Sequence, residues 1–366
     1  MTVATLYWFL VRSPVLAETP LRAKLEWPNT DFSKASVDLR EIESGGPPKD
    51  GIPAIDNPRF VGIGEADSWL DPREPVIVLD IQSQVRAYPL QIMIYHEIVN
   101  DVLAGVPVAI TFCPLCNATI VFDRRVNGRV LDFGTTGKLR KSDLVMYDRQ
   151  TESWWQQFTG TGIVGEYTGT ALKQLPASII AYEDLRKAYP DAQILSITTG
   201  YLRPYGRNPY RGYDHIGDIP FLMSDPVDKR LPPMERVIFV RQGSLQRLYP
   251  FAVFRKKPVI NDKLGDLALV IFSKKGTLSA LDASEIAESR LIPSATAWSR
   301  RVDNRILNFG FKQGGIIDTD TGSRWNLLGR AVEGPMAGRQ LAKVDSGVHF
   351  AFAWLAFNPD SDIYSP

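Results

Sequence analysis

The chain is short of the residues that usually announce a function. Its 366 residues include two cysteines and three histidines, and 42 Lys and Arg stand against 41 Asp and Glu. Two cysteines cannot staple a chain of this length, so a disulfide scaffold is excluded. The balanced charge argues against a nucleic-acid binder working through bulk electrostatics. The apolar run at residues 1–11 is too short to cross a bilayer, and no later stretch is long and apolar enough for an integral membrane helix. Walker, GxGxxG, HExxH and GxSxG signatures are all missing, which leaves nucleotide, dinucleotide, metalloprotease and α/β-hydrolase readings without support.

What is present is turn chemistry. Glycine and proline supply 28 and 26 residues and aromatics 10%, a composition that speaks against an all-helical bundle. Val76–Leu79 and Val106–Phe112 read as strands. Leu90–Val99 reads as a short helix, and so does Tyr182–Tyr189, with Glu183-Asp184 early and Pro190 as its stop. The expected fold class is mainly β with short helices, of α+β type.

The chain also matches itself. At an offset of 161, Val76-Ile77 meets Val237-Ile238, Arg86 meets Arg247, Tyr88-Pro89 meets Tyr249-Pro250, and Asn100-Asp101 meets Asn261-Asp262. Ten of the 35 positions from Val76 are identical, where unrelated sequence would give about two. Further on, Asp148, Thr151, Ser153 and Trp155 recur as Asp318, Thr321, Ser323 and Trp325. These observations predict an internal duplication, two β-rich repeats about a pseudo-twofold axis, with insertions near 135–147 and 278–305. The expected organisation is a candidate signal peptide at 1–17, an N-terminal extension at 18–75, repeat one at 76–195, a Tyr/Arg-rich connecting loop at 196–235 and repeat two at 236–366. Small residues before Ala17 partly fit a signal-peptidase site, although Arg12 interrupts the apolar run and no Lys or Arg precedes it. Export to the periplasm or beyond is the expected localisation.

The chemistry-bearing residues sit in repeat one. The two cysteines are Cys113 and Cys116, a CxxC pair, and His96 lies a strand upstream. Repeat two has Lys257 in place of His96 and a Ser273–Thr277 stretch in place of the cysteines. Asn100-Asp101, kept in both copies, reads as a turn or cap, and the Asp148–Trp154 stretch as a polar turn. Thiolate and imidazole are the ligands that borderline and soft ions prefer, and about four make a tetrahedral site. The candidate metal ligands are therefore Cys113, Cys116, His96 and His349, the last placed before the apolar run 350–357, read as a buried strand that crosses onto repeat one. Copper is the first ion expected and zinc the second. His215, in the Tyr/Arg-rich loop, is the weaker candidate, and that loop is a candidate lid. A thiol-disulfide redox pair at Cys113/Cys116 and a non-catalytic structural or interaction protein remain as alternatives. The pair is followed by Ala118–Phe122, a β-type run, whereas redox CxxC motifs usually open a helix.

Four motifs, His96–Asp101 (HEIVND), Phe112–Cys116 (FCPLC), Tyr147–Trp154 (YDRxTxSxW) and Phe352–Pro359 (FAWxAFxP), stand in this order. With them the chain from Val76 to Tyr364 resembles a prokaryotic domain-of-unknown-function family. The resemblance implies export, as many members look exported, and it implies no activity. The family often has Gly where Asn117 stands, and some members lack the second cysteine, which weighs more against a dithiol than against a metal. The expected function is an exported metal-binding protein, with a metal-dependent oxidoreductase as its enzymatic form and an unknown small molecule or metal donor as partner.

Overall fold

The computed structural model describes residues 24–365, so the candidate leader at 1–17 lies outside the described residues. The described chain is mainly β, with short helices at turns of the path. Among the described residues no helix is long and apolar enough to cross a membrane.

The first half opens with a hairpin, Pro75–Ile81 and Gln84–Pro89, joined through Gln82 and Ser83 in the left-handed region, the geometry that two-residue hairpin turns require. Pro89 then sets the start of helix Leu90–His96, and Glu97 ends it by turning left-handed with its N–H on the Met93 carbonyl. A second hairpin follows, Ile98–Leu103 with Val106–Cys113, and its outer strand pairs onward with Ala118–Asp123. A third, Phe133–Arg140 with Asp143–Asp148, turns at Lys141 and Ser142. The path closes when Ser178–Ala181 pairs back onto Pro75–Ile81, helix Tyr182–Ala188 follows, and Gln193–Leu195 lies parallel to Gln84–Pro89.

The pairings of the second half run in step with these. Val76↔Pro89 has its counterpart in Val237↔Pro250, and Ile98↔Thr111 in Val259↔Phe272. Strand Asp345–Phe350 returns onto Arg236–Gln242 as Ser178–Ala181 returns onto Pro75–Ile81. Helix Ala351–Phe357 follows, then Asp362–Ile363 parallel to the hairpin. The run 350–357, expected as a strand, is thus a strand end at Phe350 followed by a helix. With every residue apolar, periodicity cannot tell a buried helix from a buried strand.

The buried polar residues recur as well. Arg86 and Tyr88 donate to Asp101, and Arg247 and Tyr249 donate to Asp262. Asn100 exchanges two hydrogen bonds with the backbone of Phe133, as Asn261 does with Phe309. Asn100-Asp101 is therefore a clamp between sheets, with a partner on either side of the strand, rather than a turn or cap. Asp148 accepts from Thr151 and the Trp155 indole, and Asp318 from Thr321 and Trp325.

Period-two alternation locks the halves together. Along Pro75–Ile81, Ile77 and Leu79 face the core that holds both cysteines, whereas Val76 and Val78 face a core shared with Val270, Phe272, Trp298 and Trp325 of the second half. Reciprocally, Val237 and Phe239 pack into the cysteine-bearing core while Ile238 and Val240 turn to a third cluster. Phe350, Phe352 and Trp354 also enter the cysteine-bearing core. The C-terminal end of the second half thus closes the core of the first.

Candidate functional site

Three turns of the first half meet at the cysteine pair. Cys113 is the last residue of its strand and pairs with Ala118, so Pro114–Asn117 is a tight connection, closed by the Asn117 N–H on the Pro114 carbonyl. Asn117 takes φ 47° there. The second turn is the helix end at Glu97, φ 58°, and the third is the hairpin tip at Ser142, φ 64°. Three non-glycine residues in the left-handed region stand around one pair of thiols, a concentration usual at functional sites.

The sulfurs converge on the third turn. Cys113 and Cys116 both direct Sγ at the Ser142 carbonyl, at 3.9 and 3.5 Å. Asp143, the next residue, completes the group: the two Sγ atoms and an Asp143 carboxylate oxygen lie within 4.8 Å of one another, all buried. Its Oδ2 accepts from the Gln156 side chain at 2.6 Å and from the Phe158 N–H at 2.9 Å. Neither its Oδ1 nor the Ser142 hydroxyl makes a hydrogen bond of normal geometry, although the Cys116 thiol lies close enough to act on the Asp143 carboxyl and the Ser142 hydroxyl on Tyr213.

Electrostatically the cluster is a set of acids without a base. Burial pushes the Asp143 carboxyl up to about 7. Burial, helped by the Asp143 charge, pushes Glu97 up to about 8. Both thiols are raised by burial as well, Cys116 further because Cys113 and Asp143 oppose a second negative charge. No basic side chain is among the leading influences on any of the four. Tyr210 and Tyr213, from the connecting loop, are close enough that the cysteines, and for Tyr210 also Glu97, add to the burial that raises their phenols.

The predicted histidines go elsewhere. His96 is buried, but Pro53 O and the Tyr205 hydroxyl occupy its two ring nitrogens, each at 2.7 Å. Helix Leu90–His96 ends there and the left-handed turn sends Glu97, not His96, toward the cysteines, so the expected meeting of sulfurs and His96 imidazole does not occur. His349 comes closer. The N–H of Phe350 donates to the Cys116 carbonyl at 2.9 Å, so the closing strand does reach the CxxC turn. It delivers backbone there, because the His349 ring turns to Phe158, Phe239 and Trp354, at 4.9, 5.4 and 5.7 Å between centroids. His215 is exposed and faces Asp218. Among the described residues, the group able to hold a metal ion is Cys113, Cys116 and Asp143.

Sequence reasoning missed Asp143 and Glu97. A signal for Asp143 existed in the spacing of the self-match. Phe133↔Asp148 closes a hairpin six residues longer than Phe309↔Asp318, since 148 − 133 = 15 and 318 − 309 = 9, and Asp143 lies in that extra length. The second half inverts the chemistry throughout. Lys274 stands at the Cys113 register position and Pro258 at that of Glu97, and the hairpin runs on to Leu278↔Leu291 instead of closing in a tight turn.

A family model described as a protein of unknown function (DUF3179) matches residues 49–361. No curated protein and no solved structure matches the chain.

Proposed function

The chain belongs to the DUF3179 family, and since that description brings no activity with it, we propose from the site alone that this is an exported metal-binding protein whose first half holds one ion on Cys113, Cys116 and Asp143. The observation that carries the reading is the buried acid cluster itself. Two thiols and a carboxylate share one point, one carboxylate oxygen makes no hydrogen bond of normal geometry, and no base balances them. A divalent cation supplies the missing charge and removes the protons that burial otherwise retains.

The donor set favours zinc over copper. Thiolates suit both ions, but a carboxylate oxygen in place of imidazole is an ordinary zinc ligand and a poor one for the soft cuprous ion. Zinc held by three protein ligands lowers the pKa of a water in its remaining position. Glu97 is a further raised acid near this cluster, its carboxyl pushed up by burial and by the Asp143 charge. The thiol-disulfide reading finds less support: redox cysteines need a depressed thiol pKa, and here both thiols are raised. A bound ion would also keep two adjacent thiols from oxidising in an exported protein.

The recurrence of strand registers and of the Asn-Asp and Asp-Thr-Trp polar sets in both halves supports our further reading that the chain is an internal duplication, with the site built in one copy on a scaffold common to both.

Elemental analysis of protein purified without a metal-affinity tag tests the metal reading. About one equivalent of zinc is expected, falling below about a tenth in C113S and C116S and unchanged in H96Q. A metal-free protein with Cys113 and Cys116 joined in a disulfide, read from intact mass and thiol titration, would overturn it in favour of the redox or structural alternative.

A further inference from the structure

A groove of about 1160 Å³ opens in the second half, at the place that matches the cysteine cluster of the first. Three elements meet at the cysteines: the end of helix Leu90–His96, the strand end at Cys113 and the hairpin tip at Ser142-Asp143. Their counterparts by register all line the groove. These are Arg255 at the end of helix Phe251–Phe254, Lys274 at the Cys113 position, and Gly314 at the tip of the hairpin that Phe309–Lys312 opens. That hairpin lacks the extra length which carries Asp143 onto the thiols, so the place is open volume.

The groove presents charge and apolar surface that the fold leaves unused. Its lining holds five Lys and Arg against three Asp and Glu, a positive balance. Lys274 is held by Asp184, and Arg236 and Arg290 by Asp214. Arg255 and Lys275 are exposed and make no ion pair or side-chain hydrogen bond. Phe311, Ile216 and Leu291, on the same lining, are 48%, 46% and 41% exposed. The Phe311 ring packs on no other ring among the described residues.

The first half shows what kind of group covers such a place. There the outer edge of Phe133–Arg140 is covered by an extended segment, Ile42–Ser44, which pairs with Lys138–Arg140. That segment is acidic: Glu43 lies in it, and the preceding Glu41 pairs with Arg140 at 2.7 Å. Phe309–Lys312 is instead the edge strand of its sheet. Asn261 holds the outward groups of Phe309, as Asn100 holds those of Phe133, and past it no strand lies beside Phe311. Addition of an extended peptide to an open sheet edge is a recurrent mode of recognition. The volume also exceeds the roughly 300–1,000 Å³ of small-molecule sites.

We propose that this groove receives an extended acidic segment of a partner protein, seated beside Phe311 as Ile42–Ser44 is seated beside Lys138–Arg140. Its carboxylates meet Arg255 and Lys275, and its apolar side chains cover Phe311, Leu291 and Ile216. The site uses none of the metal ligands and holds or fails independently of the metal reading.

The test is selection of random dodecapeptides, displayed on phage, against the full-length protein. The selected pool is expected to converge on sequences rich in Asp, Glu and apolar residues. A synthetic peptide from that pool should bind the parent at least tenfold more tightly than R255E/K275E and at least fivefold more tightly than F311S. N-methylation of its backbone amides, one position at a time, should weaken binding severalfold at alternate positions, which docking through side chains alone would not produce. The substituted side chains are exposed, so the variants should unfold at the temperature of the parent and keep its metal content, which separates failure here from failure of the zinc site. The proposal is overturned if no pool converges, if the peptide binds R255E/K275E as tightly as the parent, or if N-methylation has no effect at any position. It is also overturned if the parent is a dimer that R255E/K275E converts to a monomer, which makes a second copy the occupant. Retention of dodecanoate but of no peptide would overturn it in favour of a single-chain amphiphile.

Discussion

Replacing Asp143 by Asn removes one charge and almost no volume, and it separates what the carboxylate does for the fold from what it does for the ion. In the metal-free protein the Asp143 carboxyl is raised from 3.8 to about 7. Between those values the folded state holds a proton that the unfolded state has lost, so stability falls as pH rises through this window. A displacement of roughly three pKa units corresponds to about 4 kcal/mol at full ionisation. D143N carries no such penalty. Its carbonyl can still accept from Gln156 and Phe158, which hold Oδ2 in the parent. Urea unfolding in chelator and reductant should therefore show metal-free D143N more stable than the parent at pH 8, by up to about 4 kcal/mol, with the difference shrinking to near zero toward pH 4. With zinc present the order should reverse, because the variant has lost a ligand. Equal stability at pH 8, or a zinc affinity within tenfold of the parent, would show that Asp143 is neither a strained acid nor a ligand.

Two further outcomes test the scaffold. Asp318 is buried and accepts from the Thr321 N–H and hydroxyl and from the Trp325 indole. D318A should cost about 2–4 kcal/mol by leaving those donors unpaired, with zinc stoichiometry unchanged, and loss of zinc from the folded variant would mean that the second half supports the site more directly than argued. Gly137 sits at φ +69°, and a Cβ there would overlap the Pro47 carbonyl of the N-terminal extension. G137A should lower stability by more than about 2 kcal/mol in thermal unfolding, and a neutral result would show that the 45–51 segment yields without cost.

The fold was readable where the sequence alternates or repeats. Val76–Leu79 and Val106–Phe112 are strands because β-branched and aromatic runs bounded by turns leave few other choices. Helix Tyr182–Ala188 is read nearly to its ends from its early acids and from Pro190. The run 350–357 was not readable in this way, since an unbroken apolar stretch carries no period. The site was half readable for a related reason. Cys113 and Cys116 are close in sequence and a tight turn keeps them close in space. Asp143 reaches them only because one hairpin tip folds over another, a contact that local pattern does not encode. His96 and Glu97 are neighbours, and which of them faces the sulfurs depends on a single left-handed residue at the helix end. A ligand-type argument prefers the imidazole, while the backbone presents the carboxylate.

The comparison of the two halves gives the site its meaning, because it supplies an internal control that a single chain rarely offers. Two pairs of aspartates recur in the halves and serve the fold: Asp101 and Asp262 each take an arginine and a tyrosine, and Asp148 and Asp318 each take an indole. Asp143 is a buried carboxylate of another kind. It lies in the extra length of one hairpin, its Oδ1 makes no hydrogen bond of normal geometry, and the thiols beside it are absent from the second half. Asp148 and Asp318 are likewise buried without a base, but hydroxyl, backbone and indole donors hold both. On the proposed zinc reading, a cation held on the three donors that lie within 4.8 Å of one another would offset the cost of burying the Asp143 charge.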